Sequence, residues 1–394
     1  MRRKIVLTIV FSLFILMLFL WIVNPQIFRI IRFQKPGVKT YEYFPVREME
    51  KSSHPFIFPE KKVPQNQLDT LLVENGAGKR VSFSEYFKSG ELLAFLVIRN
   101  DTLIYEKYGS DYDRGTISNT FSIGKSMISL LTGKAIELGY IDGTKQHIND
   151  FITPFKNNPD LQKLRIEDLL NMKSGLKFER AGNGLISDLF CDEARFFYTS
   201  TLKKDLLHVR SNTLPGKRWK YSNLDPLILT WAIENATGKY VSDFFQQEIW
   251  NPIGAEYKAS WGIDQIGGLE NSPSSFQCTA IDLAKVGRLL LKKGVRDSTQ
   301  IISSDWIAQS IAIDQGNRAN TSKGKQRATH QYYWWLPQEN FEGDFSAEGL
   351  RGQRLYINPI QNIIIVQFAN RGFGGYPYRA ISNHLTSKTT ILAH

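Results

Sequence analysis

The sequence predicts an α/β (α+β) fold. One antiparallel sheet, built from both ends of a large domain, is flanked by helices from the middle of the chain, behind an N-terminal transmembrane helix. Three observations predict it. Residues 92–108 and 353–369 each read as a β-rich hairpin, apolar residues recur at helical spacing between them, and residues 5–23 are apolar without a charge. The chain has 394 residues, 42% of them apolar and 22% charged, which suits a globular protein with a real core and excludes wholesale disorder. No internal repeat or low-complexity tract points to a solenoid or propeller.

The elements follow in order. Residues 1–33 read as a membrane anchor. About 19 uncharged residues nearly cross a ~30 Å hydrocarbon core, Trp21 suits the interface, and no small-residue cleavage site follows. Residues 34–91 carry Pro36, Pro45, Pro55, Pro59 and Pro64, a density that suits an extended stalk and lead-in. Residues 92–394 form the main domain. Strands 92–98 and 102–108 flank a turn at Arg99-Asn100-Asp101. Helices are expected at 126–138, ended by Gly139, and at 166–172, 225–237, 241–250 and 280–292, the last capped by Thr279. Strands at 353–357 and 363–369 and a helix at 379–385 complete the domain.

The net charge of +11 suggests nucleic acid until its distribution is read. Arg2, Arg3, Lys4, Arg29, Arg32, Lys35 and Lys39 lie in the first 39 residues with no acid, and removing those seven leaves +4 for the rest. Basic residues flanking an apolar span suit anionic lipid headgroups, so a membrane partner is expected and nucleic acid is not. Cys191 and Cys278 are either one disulfide or two buried thiols. The six histidines are scattered, so neither a metal nor another cofactor is expected.

Three places carry chemistry. Ser122-Ile123-Gly124-Lys125 opens an apolar helix, where a serine has backbone N–H groups and the positive end of the helix dipole beside it. Lysine three residues on shares the helical face, and burial would let its neutral form take the serine proton. The plain alternative is a capping serine with a solvent-facing lysine. Tyr221-Ser222-Asn223 follows Pro215-Gly216, where a loop tyrosine can serve as a general acid or base and Asn223 can orient Lys125 or a substrate amide. Gly349, before the last hairpin, lets backbone approach a ligand closely, and that strand edge can supply an N–H to an oxyanion.

In order and in flanking text these elements resemble the serine β-lactamase and penicillin-recognising family, in its class C-like branch of esterases, D-aminopeptidases and 6-aminohexanoate-dimer hydrolases. The matching stretches are FSIGKSMISLLTGKAIELGYID at 121–142, IEDLLNMKSGL at 166–176, the run from Pro215 to Gly254, CTAIDLAKVGRLLLKKG at 278–294 and GLRGQRLYINP at 349–359. The resemblance implies a β-lactamase/transpeptidase-like fold, an antiparallel sheet flanked by helices plus a mainly helical subdomain. It implies Ser122 as nucleophile, Lys125 and Tyr221 as its proton-transfer partners, and the backbone N–H groups of Ser122 and Leu350 as the oxyanion hole. Which of Lys125 and Tyr221 is the base stays open.

The pattern also departs from the family. Lys-Thr-Gly, or His in place of Lys, precedes the oxyanion strand in true β-lactamases; here the residues are Ala347-Glu348-Gly349. The cation that holds a β-lactam carboxylate is missing, so efficient β-lactamase activity is not expected. The resemblance to 6-aminohexanoate hydrolases suggests an acid that engages a substrate amine, with Asp188, Asp192 and Glu348 as candidates. Of Trp334 and Trp335, which point to opposite faces of a strand, Trp335 is the candidate pocket residue. The expected function is hydrolysis of a small amide or ester through a Ser122 acyl-enzyme, by an anchored protein whose domain lies outside the cytoplasmic membrane, periplasmic or at the cell surface. The alternative is a slow or inactive sensor that retains the pocket.

Overall fold

The computed structural model describes the chain except for residues 1, 24–25, 65, 76, 183, 185–186, 188–190, 314–327, 338–342, 372–376 and 392–394. Two helices come first, α1 (Arg2–Val23) and α2 (Gln26–Phe33). The expected transmembrane helix is corrected here: among the described residues, no helix is long and apolar enough to cross a membrane. Arg2, Arg3 and Lys4 occupy the first turn of α1. The uncharged remainder, residues 5–23, rises roughly 28 Å, short of a ~30 Å core. The extracytoplasmic localisation and the membrane partner rested on that span and lose their basis with it. Helix α2 instead lies on the main body, with Ile30 buried and Arg29 Nη1 donating to Tyr198 O at 3.2 Å.

Residues 34–91, expected as a stalk and lead-in, contribute strand β1 (Val46–Met49) and helix α3 (Phe83–Ser89), which Ser82 caps by accepting from Glu85 N. Strands β2 (Leu92–Arg99) and β3 (Thr102–Tyr108) form the first hairpin, and the short β4 (Ser118–Asn119) leads into helix α4 (Ile123–Glu137). Helices α5 (Asp192–Tyr198) and α6 (Leu224–Thr237) follow. Asn223 is the N-cap of α6, which therefore starts one residue before the 225 expected from sequence. Val241–Phe245 is α-helical but Gln246–Trp250 continues as a π-turn, so the single helix expected there has a change of pitch. Next come β5 (Ala259–Gly262), β6 (Phe276–Cys278) and helix α7 (Ala280–Leu291), with Thr279 accepting from Asp282 N as a cap should. The chain closes with β7 (Ala328–Gln331), β8 (Trp334–Pro337), β9 (Phe345–Gly349), β10 (Gln353–Asn358), β11 (Ile363–Ala369) and helix α8 (Tyr378–Ile391).

The main sheet has the order β7-β8-β9-β10-β11-β2-β3 and is antiparallel throughout. The two ends of the domain meet at the β11–β2 pairing, where Ile365 stands opposite Val97. Strand alternation divides the core. Ala94, Leu96 and Ile98, with Ile364, Val366 and Phe368, face α4 and α7. Phe95, Val97, Ile363 and Ile365 face the other way, against Phe83 and Tyr86 of α3 and Tyr378 and Ile381 of α8. Both faces are buried, which is why these strands read as nearly continuous apolar runs. Gly287 lets α7 lie close to the sheet; a Cβ there would stand 2.8 Å from Ile364 Cγ2. A second sheet, β1-β5-β6-β4, lies at the site and delivers its last strand to the start of α4. Cys191 and Cys278 are buried and are not joined to each other, which sets aside the single disulfide among the two readings open from sequence.

Candidate active site

Between β4 and α4 the chain turns through Phe121, whose φ of +50° is a left-handed conformation that costs a non-glycine residue of order 1 kcal/mol or more. That turn puts Ser122 at the N-cap of α4 without a side-chain capping bond, so its hydroxyl is free for other partners. Lys125 Nζ donates to Ser122 Oγ at 2.8 Å and to Pro273 O at 2.8 Å. The lysine is 2% exposed, which rejects the solvent-facing alternative. Burial holds its pKa well below the usual lysine range; Glu193 acts against that shift and Arg180 with it. The helix reaches this position because Gly124 lies against backbone, where a Cβ would stand 2.3 Å from Ser272 O.

Tyr221 arrives from the loop before α6. Met172, itself at φ +55°, anchors that loop: its carbonyl accepts from Lys220 N at 2.8 Å and its sulfur from Ser222 N at 3.4 Å. Burial pushes the Tyr221 pKa up to about 12, with the nearby Ser122 hydroxyl and Arg180 working the other way. Lys125 Nζ lies 4.9 Å from its ring centroid and the Arg180 guanidinium 4.8 Å. Beneath the loop, Ser174 Oγ donates to Asp225 Oδ1 at 2.7 Å. Asp225 is fully buried, and burial pushes its carboxyl up to about 8 against its serine hydrogen bonds.

The structure thus brings Ser122, Lys125 and Tyr221 together. Asn223 is buried, and its Oδ1 has no hydrogen-bond partner among the described residues. Gly349 ends β9 against the chain leading to Ser122, where a Cβ would lie 2.2 Å from Thr120 O. Leu350 opens the turn that follows and is exposed. The three expected amine-binding acids fare differently. Glu348 pairs with Arg354 at 3.1 Å and accepts from Ser346 Oγ. Asp192 accepts from Glu179 N at 2.9 Å. Asp188 lies outside the described residues. Trp334 packs in the core against Phe345, while Trp335 stacks on Tyr221 with ring centroids 6.1 Å apart at 20°.

Four further residues enter the site unannounced by any motif. His330 is buried at 4.7 Å from Trp335 and 6.1 Å from Tyr221, and burial, then the Lys125 charge, holds its pKa down to about 3. Trp219 meets both His330 and Trp335. Arg180 and Glu193 act on Lys125 and Tyr221 through space. Trp219 and His330 lie two residues before Tyr221 and five before Trp335, so their proximity in sequence was the available signal; Arg180 and Glu193 had none.

Residues 91–386 match the protein-family profile described as Beta-lactamase. A 6-aminohexanoate-dimer hydrolase of Paenarthrobacter ureafaciens is 26% identical over 294 residues, covering 70% of this chain and 72% of that protein. A solved structure from Bacillus anthracis, assigned as a 6-aminohexanoate-dimer hydrolase, superposes with a TM-score of 0.75 at 23% identity, covering 91% of this chain and 92% of that one. A family VIII carboxylesterase superposes with a TM-score of 0.59 at 17% identity, over 78% of this chain and 95% of its own. At these identities the two structures establish the shared fold. None of the three names describes a sensor, so the binding-module alternative gains no support.

Proposed function

The chain belongs to the beta-lactamase family and is a serine hydrolase of the amidase or esterase kind, and we propose that Ser122 is its nucleophile, cleaving a small amide or ester through an acyl-enzyme. The observation that carries this reading is the 2.8 Å contact between a buried Lys125 Nζ and Ser122 Oγ. Burial favours the neutral form of Lys125, whose lone pair can take the serine proton while an N–H stays on Pro273 O. Tyr221, with its pKa pushed up, stays a phenol and serves as the acid. In acylation, Ser122 Oγ bonds to the substrate carbonyl carbon as its proton passes to Lys125. Tyr221 gives its proton to the departing amine or alkoxide, and the lysine proton restores the phenol. Water then attacks the acyl ester, and the same groups return Ser122 to its hydroxyl form.

The backbone N–H groups of Ser122 and Leu350 are the proposed oxyanion donors, since Gly349 brings that strand end against Thr120. Trp335 is proposed to line the acyl pocket, and Asn223, with its unpartnered Oδ1, to accept a substrate N–H. With Ala347 buried at the lysine position and the Arg354 cation held by Glu348, neither position leaves a cation for a β-lactam carboxylate, and we propose that β-lactams are poor substrates. A panel of p-nitrophenyl esters, D-amino-acid amides, ω-amino-acid dimers and nitrocefin tests this. Turnover of short-chain esters with poor nitrocefin hydrolysis is expected; fast nitrocefin hydrolysis overturns the reading of Ala347-Glu348.

A further inference from the structure

Asn119 ends β4, just ahead of the turn that carries Ser122, and is 1% exposed. Its side chain has two partners. Oδ1 accepts from Phe121 N at 3.2 Å, and Nδ2 donates to Ser274 O at 3.1 Å. Those partners fix which end of the carboxamide is which, since an N–H needs the oxygen and a carbonyl needs the amine. The first bond supports the left-handed Phe121, where φ is +50°, and so braces the strained residue that aims Ser122. The second reaches the buried loop of residues 271–275, one residue beyond Pro273, whose carbonyl accepts from Lys125 Nζ at 2.8 Å. One buried amide therefore braces both the turn behind the Ser122 hydroxyl and the loop behind the Lys125 amine.

We propose that Asn119 is a positioning residue for the reaction: its carboxamide keeps Ser122 Oγ and the Pro273 carbonyl in register about Lys125 Nζ. The proposal rests on the reading of Ser122 as nucleophile and Lys125 as its base. The bond to Pro273 O limits how the lysine amine can rotate. The direction of its lone pair toward Ser122 Oγ therefore depends on the spacing between that carbonyl and the serine, which the Asn119 side chain sets from the far side of both. Thr120 N and Oγ1 both donate to Phe276 O at 2.8 Å, so the strand end stays paired with β6 when the Asn119 side chain is removed. A loss of activity then reports the turn and the loop rather than an undone strand.

The test follows labelling by a fluorophosphonate probe in the full-length unmutated, Asn119→Ala and Asn119→Asp proteins, and separates the maximal rate, kinact, from the half-saturating concentration, KI. Urea midpoints are recorded on the same preparations. Asn119→Asp keeps an oxygen for Phe121 N and replaces the amine that serves Ser274 O. The expected result is a fall in kinact of about a hundredfold for Asn119→Ala and about tenfold for Asn119→Asp, with KI within about twofold of the unmutated value. A residue that only stabilises the fold lowers the urea midpoint and leaves the kinact of the folded protein unchanged; that outcome overturns the proposal, as does a loss that lies wholly in KI. If Asn119→Ala does not fold, Asn119→Asp decides by the same two criteria. An unmutated protein that takes no adduct on Ser122 removes the nucleophile reading and this proposal together. An adduct on Ser122 with equal kinact in all three proteins removes Asn119 alone.

Discussion

Arg351 Nε donates to Pro36 O at 2.8 Å, and its Nη1 donates to Asn370 O at 2.8 Å. The turn after Gly349 is thereby tied to the lead-in segment on one side and to the end of β11 on the other. Arg351 itself sits at φ +64°, so the turn is held in a conformation the residue would not choose alone. Val38 O accepts from Asn119 N at 3.1 Å, so the same segment also braces the strand that delivers Ser122.

If those bonds position the proposed oxyanion donor, Arg351→Gly should lower kcat by about tenfold with little change in KM, although glycine relieves the backbone strain. Steady-state kinetics on a p-nitrophenyl ester check this. A change confined to KM, or none, removes Arg351 as a positioning residue.

Gly349→Ala should be more severe. The added carbon would stand 2.2 Å from the backbone oxygen of Thr120, which cannot move without displacing the start of α4. A loss of roughly 1–3 kcal/mol in stability is expected, with a fall in kcat beyond what that loss explains. Denaturant titration and kinetics on the same preparation separate the two effects.

Asp225 offers a pH test of the scaffold. Its folded pKa is raised to about 8, from an ordinary value near 4. Its contribution to stability is therefore fully present below the unfolded value and is lost as pH rises from about 4 through 8. Asp225→Asn keeps an oxygen for Ser174 Oγ and removes the ionisation. The variant should lose less stability than the parent over that window and exceed it by roughly 1–4 kcal/mol at pH 7. Urea midpoints at pH 4, 6 and 8 provide the measurement, and parallel curves for the two proteins contradict it.

His330 gives the opposite slope. Its folded pKa is depressed to about 3, so the stability it contributes is present above the unfolded value near 6.5 and is lost as pH falls toward 3. His330→Gln should flatten the stability curve between pH 6 and 4. An unchanged acid limb in thermal melts places its cause elsewhere.

Much of this architecture is legible from residue order. The hairpins at both ends announce themselves by β-rich runs around turn residues, and the helices between them by apolar spacing and caps such as Thr279. Boundaries fail where local preference yields to context. Asp225-Pro226 reads as a cap and first-turn proline, yet the helix begins one residue after Asn223 because the Tyr221 loop is pinned by Met172 and Ser174 from a distant segment. The reading of residues 5–23 took a run that nearly crosses a ~30 Å core as one that spans it, whereas among the described residues no helix is long and apolar enough to do so. Ser122, Lys125 and Tyr221 are recognisable because three short patterns occur in one order. Arg180 and Glu193 carry no pattern, and only the fold brings their charge to Tyr221; His330 offers no more than its place five residues before Trp335.

Covalent labelling bears most directly on Ser122. The protein is treated with a fluorophosphonate probe, and intact-mass and peptide-mass spectra are recorded for the unmutated chain, Ser122→Ala and Lys125→Ala. One adduct on the peptide containing Ser122 is expected, absent from Ser122→Ala and at least about a hundredfold slower to form in Lys125→Ala. Equal labelling of the unmutated and Ser122→Ala proteins would contradict the assignment of Ser122 as nucleophile.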